Sequence, residues 1–549
     1  MIKIPNKVIN YKDHKKSFIN FCSDHKKIIL PFLFILFYIL FYFLLDFSTQ
    51  SLVPHDEGLY ARRSRLVEES YNWFSSPFDK PHHKTIGSYW FIALSIRLFG
   101  YSELALRLPS IFFSFLCLFI SYLIGTRIAN KKAALISVFS LSAMPLWLQY
   151  SRYASPDIPF VLCILLVILF FLKFLDAKYT KNKYLYIFLS GIFVSTGFFI
   201  RSYMVIVPLV GLAPFLIYNL NRSKDIFKFI FITGIFFGSI PTSINLFFSY
   251  KKFGFTGISV LFDFAKDKAV GGIDFNNLLL IPLNYLYLTF PVGILLILLL
   301  VFTSSINKIN YPLLFYCYPL LSLTILLCMS TSYLHYYLFL LPPLSILFAT
   351  KIQAFTFRFS RSKNLISLFL SIFITIICSA FLYLLIFNYD FIKENSYGKA
   401  LLAYLVIFML LLSLFASIRF LFDTKNTKYN LLKFLYNIII PQYVSVSLLY
   451  NFGLVGNPSF KLKSFINDEN VSSILKSNTI YLYNVDSKIN TLLRYYLPSA
   501  KVVSSNEDIL NLNYIITSDR NSLYEFGNES LFKSIKSFDN HFLLMNISK

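Results

Sequence analysis

Two short polar clusters stand out in this 549-residue chain as places where acid–base chemistry could be done. The first is His55-Asp56-Glu57, just past an apolar run from Ile28 to Phe47 that is long enough to span a bilayer. The second is Asp79-Lys80-Pro81-His82-His83-Lys84. Charged groups at a membrane face are costly unless they are paired or used. Adjacent carboxylates followed by a Lys- and His-rich cluster suit a proton acceptor beside a site for a negatively charged group.

The elements that must hold these clusters are membrane helices. Hydrophobic residues make up 56% of the chain, aromatic residues 19% and charged residues only 14%. That balance excludes a soluble fold and defines an integral membrane protein. The net charge of +24 does not indicate nucleic acid. Most Lys and Arg lie in short loops between apolar runs, where they set topology and meet anionic lipid headgroups. Cys117, Cys163, Cys317, Cys328 and Cys378 lie in apolar runs and Cys22 in the basic N-terminal tail, so no disulfide framework is expected. The first apolar run lacks the short core and small-residue cleavage site of a signal peptide and reads as a retained anchor.

The pattern predicts about thirteen membrane helices, near 28–47, 105–127, 133–150, 157–175, 184–200, 203–220, 229–249, 286–304, 311–329, 336–350, 365–388, 400–420 and 434–452. Every second loop is basic, beginning with the N-terminal tail and continuing through Lys131 and Lys132, Lys181 and Lys183, Arg222 and Lys224, Lys308, Arg358 and Arg361, and Lys425 and Lys428. By the positive-inside rule the N-terminus is cytoplasmic, and an odd helix count puts the C-terminus outside. The expected organisation is a basic cytoplasmic tail over 1–27 and a transmembrane domain over 28–455, with an outer loop over 48–104. An extracytoplasmic α/β cap follows over 456–549.

In the outer loop, Glu57–Ser70 has helical character, and apolar Gly87–Phe99 with Arg97 inside it suits a helix lying in the interface. In the tail, Thr479–Asn484 and Tyr514–Thr517 read as buried strands and Ser487–Tyr496 as a helix. No internal repeat marks an inverted-repeat transporter.

Other outer turns carry ionisable or polar aromatic groups: Arg152 to Asp157, Arg201 to Tyr203, and His335-Tyr336-Tyr337. Together with Asp56 they can converge on one cavity suited to a lipid phosphate and a proton-accepting carboxylate.

On these residues the chain resembles a known family. The motif His55-Asp56-Glu57-Gly58-Leu59-Tyr60-Ala61, then Asp79-Lys80-Pro81, then Ser88-Tyr89-Trp90 is followed by Leu98-Phe99-Gly100-Tyr101-Ser102-Glu103-Leu104-Ala105-Leu106-Arg107-Leu108-Pro109-Ser110. This is similar to the GT-C glycosyltransferases that use polyprenyl-phosphate sugars, and more narrowly to the aminoarabinose transferase and bacterial protein-mannosyltransferase-like family. The resemblance covers residues 28 to 350, and the rest by architecture only. It implies an all-α polytopic membrane fold of the GT-C type, with interfacial helices in the first outer loop and the small α/β domain on the outer face.

The resemblance also implies roles. Asp56 is similar to the general base that takes the acceptor's proton, with Glu57 beside it tuning the carboxylate pair. Asp56 equally suits the N-cap of a helix beginning near Glu57, and the two roles are compatible. Lys80 and Arg201 resemble clamps on the departing phosphate, with Tyr336 as a hydroxyl donor beside them. For Arg201 the alternative is an interfacial snorkelling cation, and for His335, Tyr336 and Tyr337 an aromatic belt. Asp157 orients Arg152 or the acceptor, or else caps its helix, and His335 joins this acceptor-side group. Asp79, His82 and His83 form an incomplete ligand set for a divalent metal, or plain hydrogen-bonding groups. Two departures from the family pattern, Ser332 for a Lys and His82 for a second Pro, bear on the donor headgroup and on any metal.

The function expected is therefore inverting transfer of a single sugar from a polyprenyl-phosphate donor to a lipid, glycan or protein acceptor at the extracytoplasmic face of the cell membrane. No Gly-rich nucleotide loop is found, as suits a donor already activated by its phosphate. Alternative readings are a transporter or flippase of lipid-linked sugars, whose charges would sit mid-helix, and a ligase transferring whole glycans.

Overall fold

The computed structural model describes residues 50–54, 56–75, 77–270, 289, 292–303, 311–330, 333–358, 459–503, 512–518 and 532–546, with a few single positions between 407 and 444. The basic tail, the expected helix at 28–47 and His55 lie outside the described residues, as do most of 365–388, 400–420 and 434–452.

Among the described residues, two helices precede the first long span. Helix α1 (Asp56–Ser70) and helix α2 (Gly87–Phe99) pack on one another and fall on the two stretches the sequence marks as helical. Tyr89, Ile92, Ala93 and Ile96 of α2 are buried, while Leu98 and Phe99 at its end are exposed. The side chain of Ser102 then accepts the amide of Ala105 and starts α3 (Glu103–Ile128).

Helices α4 (Lys131–Ser142) and α5 (Pro145–Tyr150) follow where one span, 133–150, is expected from sequence. The break has a local cause. Pro145 has no amide hydrogen to continue a helix and sits at the first position of α5, which forces Met144 into extended backbone.

Next come α6 (Asp157–Asp176), α7 (Thr180–Arg201), α8 (Ile206–Asn221) and α9 (Asp225–Phe253). Four stretches among the described residues are long and apolar enough to cross a membrane: α3, α6, α9 and the 42-residue run Thr180–Asn221. At 1.5 Å per residue that run would be about 63 Å long, roughly twice a hydrocarbon core of about 30 Å. A 3-10 turn over Ser202–Val205, with Ser202 at φ 57°, divides it into α7 and α8.

Helices α7 and α9 meet through glycine. A Cβ on Gly234 would come within 2.2 Å of the Phe188 carbonyl oxygen, and one on Gly238 within 2.6 Å of that of Ile192. Gly234 and Gly238 thus form a G-x-x-x-G contact in which two backbones approach closely, the packing that lipid favours where it offers no hydrophobic drive.

Beyond α9, the positive φ of Gly254 turns the chain into α10 (Thr256–Val270), a helix the sequence reading does not include. The remaining described membrane segments are α11 (Val292–Thr303), α12 (Tyr318–Cys328) and α13 (Leu341–Arg358), the last preceded by a 3-10 segment over Leu334–Leu340.

The C-terminal unit is an α/β domain, as its strand and helix patterns predict. It contains α14 (Phe460–Asn467), α15 (Glu469–Ser477), β1 (Ile480–Tyr483), α16 (Ser487–Tyr496), β2 (Lys501–Val503), β3 (Tyr514–Thr517), β4 (Phe532–Phe538) and β5 (His541–Asn546). The strand order is β2-β1-β3-β5-β4. The first three strands are parallel, with Tyr481 opposite Ile515, and β5 runs antiparallel to both β3 and β4, with Ile515 opposite Leu544.

This domain shares a hydrophobic core with the loop before α3. Leu52, Tyr60, Val67, Tyr89, Ile92 and Leu106 belong to the same buried cluster as Leu462, Phe465, Leu482, Leu492 and Ile516. The membrane helices have a separate core that includes Trp147, Ile164, Phe171, Phe215 and Phe348.

Candidate active site

The ends of several helical segments, among them α1, α5, α6 and α7, and the loop before α2 line a cavity of about 1220 Å³. Asp56 and Tyr60 come from the start of α1, His83 and Lys84 from the α1–α2 connection, Ser88 from the start of α2, and Tyr150 from the end of α5. Asp157 opens α6, Arg201 closes α7, and His335 and Tyr336 lie on the 3-10 segment before α13.

What fixes Asp56 is its neighbour. Glu57 is fully buried, and both carboxylate oxygens face the Arg107 guanidinium of α3, at 2.8 Å to Nε and 2.7 Å to Nη2. The Val53 amide donates to Oε2 and the Ala154 amide to Oε1, each at 3.0 Å. Arg107 also donates to the carbonyl of Ser51 at 3.0 Å. A bidentate pair with this many partners ties the start of α1 to α3 and to the turn before α6. Burial alone would raise the Glu57 pKa. The charge and hydrogen bonds of Arg107, with the two backbone amides, outweigh it and hold the carboxylate below its ordinary value. Glu57, paired with Asp56 in the sequence reading, therefore turns away from the cavity, and Asp56 alone of the two lines it.

Across the cavity, Arg201 and Asp157 form an ion pair with Nη2 2.9 Å from Oδ1. Asp157 thus pairs with Arg201, where the partner weighed from sequence was Arg152. Arg152 is buried at 1% exposure and does not line the cavity. Arg201 lies at the C-terminal end of its helix, where a cation complements the helix dipole. Its guanidinium carbon stands 5.5 Å from the centre of the Tyr336 ring.

Lys84 donates to the Tyr60 hydroxyl at 3.1 Å, and Arg201 reaches the same oxygen at 3.4 Å. Burial pushes the Tyr60 pKa up to about 12, so this hydroxyl keeps its proton and can present it to the cavity. Burial likewise brings Lys84 down to about 8, with neighbouring Arg201 and Arg63 adding to the effect. Tyr150 and His335 meet at 3.3 Å between hydroxyl and Nδ1.

The second sequence cluster divides. Asp79 and Lys80 are exposed and do not line the cavity, whereas His83 and Lys84 do. His82 Nε2 is 2.7 Å from the Tyr89 hydroxyl and 3.1 Å from Nη1 of Arg63. Burial keeps His82 well below its ordinary pKa, and it brings His83 to about 4. His83 stacks near Phe264 of α10, with ring centres 4.5 Å apart. A nitrogen that faces a guanidinium is not placed to bind a cation, and among the described residues no group of three His, Cys, Asp or Glu side chains could hold a metal.

Several cavity residues escaped the sequence reading: Tyr60, Arg63, Lys84, Lys266, Lys268 and Lys488. Lys84 lies inside the second cluster, but only the fold shows that the Pro81 turn points Lys80 away. Arg107 had a usable signal, since an ionisable residue in an apolar helix demands a partner.

A family model described as dolichyl-phosphate-mannose-protein mannosyltransferase matches residues 79–247. The undecaprenyl phosphate-alpha-4-amino-4-deoxy-L-arabinose arabinosyl transferase of Shewanella sediminis (strain HAW-EB3) is 26% identical over 199 residues, 36% of this chain and 36% of that protein. The protein of the same description from Yersinia enterocolitica serotype O:8 is 28% identical over 221 residues, 38% of this chain and 39% of the relative. The matched region thus spans little more than a third of these relatives' length. The crystal structure of ArnT from Cupriavidus metallidurans bound to undecaprenyl phosphate superposes with a TM-score of 0.72 at 14% identity, over 96% of this chain and 99% of that one. The fold is therefore the GT-C membrane fold that the motifs suggest. Within it, the chain is similar in sequence to the transferases that act on lipid-phosphate sugars.

Proposed function

We propose that this protein is an inverting glycosyltransferase of the cell membrane that moves one sugar from a polyprenyl-phosphate carrier to a lipid, glycan or protein acceptor. One observation carries the reading: a carboxylate, Asp56, shares a single cavity with Lys84 and Arg201, whose side chains converge on the Tyr60 hydroxyl. The named relatives and the undecaprenyl phosphate bound to ArnT support the choice of donor.

The chemistry follows from these positions. Asp56 takes the proton of the acceptor hydroxyl, whose oxygen attacks the anomeric carbon. The bond from that carbon to the phosphate oxygen breaks, and polyprenyl phosphate leaves with the electron pair and one more negative charge. Lys84 and Arg201 meet that charge as it develops, which is where electrostatic stabilisation acts on the rate. A single displacement from the opposite face inverts the anomeric centre. Asp157, held by Arg201, positions this clamp. The role the sequence suggested for Lys80 passes to Lys84.

The basic loops support a cytoplasmic N-terminus, a multi-pass topology of about thirteen helices, and an extracytoplasmic cavity and α/β domain.

Purified protein, incubated with a panel of synthetic polyprenyl-phosphate sugars and membrane extract as acceptor source, should release free polyprenyl phosphate from at least one donor. If no donor is consumed while lipid-linked sugar crosses vesicles, the protein is a transporter instead.

The clamp has its own test. Lys84→Ala should weaken undecaprenyl phosphate binding by about 10- to 100-fold, the worth of one hydrogen bond to a charged group, while Lys80→Ala stays near wild type. The ammonium of Lys84 is lost as pH rises through about 8 rather than at the ordinary 10.5, so wild-type affinity should fall above about pH 8. Lys84→Arg should hold its affinity to higher pH. Equal losses in Lys80→Ala and Lys84→Ala would refute the assignment.

A further inference from the structure

Among the described residues, the cavity wall contains one from the C-terminal α/β domain: Lys488, on α16. We infer that Lys488 is a phosphate-binding residue of the site, so that the α/β domain supplies part of the substrate contact surface. This rests on the transferase reading above and extends it to a domain that reading does not use.

The domain is built onto the cavity. Helix α16 packs along α1, the helix that carries Asp56 and Tyr60. Gly58 allows a close approach, since a Cβ there would lie 3.1 Å from Leu492. Arg65 of α1 donates to the Tyr495 carbonyl at 2.8 Å. Glu103, at the start of α3, accepts from the Tyr496 hydroxyl at 3.0 Å and pairs with Lys463 of α14 at 2.9 Å. The Ser459 amide donates to the Ser51 hydroxyl at 3.1 Å. With the shared hydrophobic cluster, these contacts fix where the first turn of α16 stands.

At that first turn a carboxylate and a lysine stand side by side. Asp486 caps α16 by accepting the amide of Lys488, which leaves a lysine side chain at the positive end of a ten-residue helix. Asp486 already meets the helix dipole, so what the helix offers the cavity is the Lys488 ammonium. The surroundings repeat the bias. Among the described residues the cavity is lined by six Lys and Arg side chains, Arg63, Lys84, Arg201, Lys266, Lys268 and Lys488, against two carboxylates, Asp56 and Asp157. Asp157 is already engaged by Arg201. A confined excess of positive charge focuses potential into the cavity and recruits an anion. The chemistry recognised is a phosphate, whether on the lipid carrier or on an anionic acceptor.

The test is pulsed acetylation of lysine amines on the full-length protein, read by mass spectrometry, with exposed Lys476 of α15 as internal control. Saturating undecaprenyl phosphate should slow modification of Lys488 about three- to fivefold, as fits one solvent-accessible ion pair, and leave Lys476 unchanged. Protection by the lipid assigns the contact to the carrier. Protection only by a soluble phosphomonoester such as glycerol phosphate assigns it to the acceptor. If neither protects Lys488, the inference is overturned. A companion titration separates the two readings. If wild type fails to bind undecaprenyl phosphate while the phosphomonoester protects Lys488, the donor assignment falls and this inference stands. Whichever ligand protects, Lys488→Ala should weaken its binding about three- to fivefold and Lys488→Arg should restore it. An unchanged affinity in Lys488→Ala would also overturn the inference.

Discussion

Asp56→Asn is expected to lower sugar transfer by about 10²- to 10⁴-fold, the usual contribution of a positioned general base, while undecaprenyl phosphate binds at least as tightly as to wild type. The side chain keeps its size and its place at the start of α1, because Glu57 and not Asp56 ties that helix to α3 and to the Ala154 amide. Removing a negative charge from a cavity that holds a phosphate does not weaken the phosphate. Asp157 cannot take over, since its carboxylate is bound to Arg201 at 2.9 Å. The loss should therefore appear in kcat with little change in donor KM, and thermal unfolding should match wild type. Unchanged kcat in Asp56→Asn would remove the base from the mechanism.

Arg107→Ala carries the largest expected effect on stability, about 3–5 kcal/mol, because it leaves the Glu57 carboxylate buried without its counter-charge. The damage should reach the site, since the same pair fixes the start of α1. Replacing both partners together, Glu57→Gln with Arg107→Met, should recover much of the lost stability, because two neutral groups carry no such penalty. The acid limb gives a further check. The folded Glu57 pKa lies below its ordinary 4.5, so the pair's contribution is complete above that value and is lost only as pH falls through the lower, folded one. Arg107→Ala should flatten that part of the stability profile. A variant melting within a degree or two of wild type would show that Glu57 finds another partner.

Much of the architecture was legible because its signals are local. Gly87–Phe99 and Ser487–Tyr496 form helices at the residues where the pattern placed them, and Tyr514–Thr517 is a strand. The break within 133–150 depends on one proline, and α10 is an amphipathic helix without the long apolar run that marks a span. The site was half legible. Asp56, Arg201, Tyr336 and His335 do share a cavity, because each sits where a helical segment begins or ends on the same side. Sequence placed Glu57 beside Asp56 at the chemistry, and Lys80 rather than Lys84 at the phosphate. Which of two neighbouring side chains enters a cavity is set by a partner far along the chain, Arg107 for Glu57 and Tyr60 for Lys84. Lys488 was beyond reach for the same reason, since only tertiary packing brings α16 against α1.

The most direct test of the mechanism is the stereochemistry of transfer. Purified protein should be given a polyprenyl-phosphate sugar of defined anomeric configuration, from the donors it consumes, and the product read by NMR. One base and one phosphate clamp in a single cavity predict clean inversion, with one polyprenyl phosphate released per sugar transferred. Retention of configuration, or transfer that leaves the phosphate on the sugar, would contradict the account.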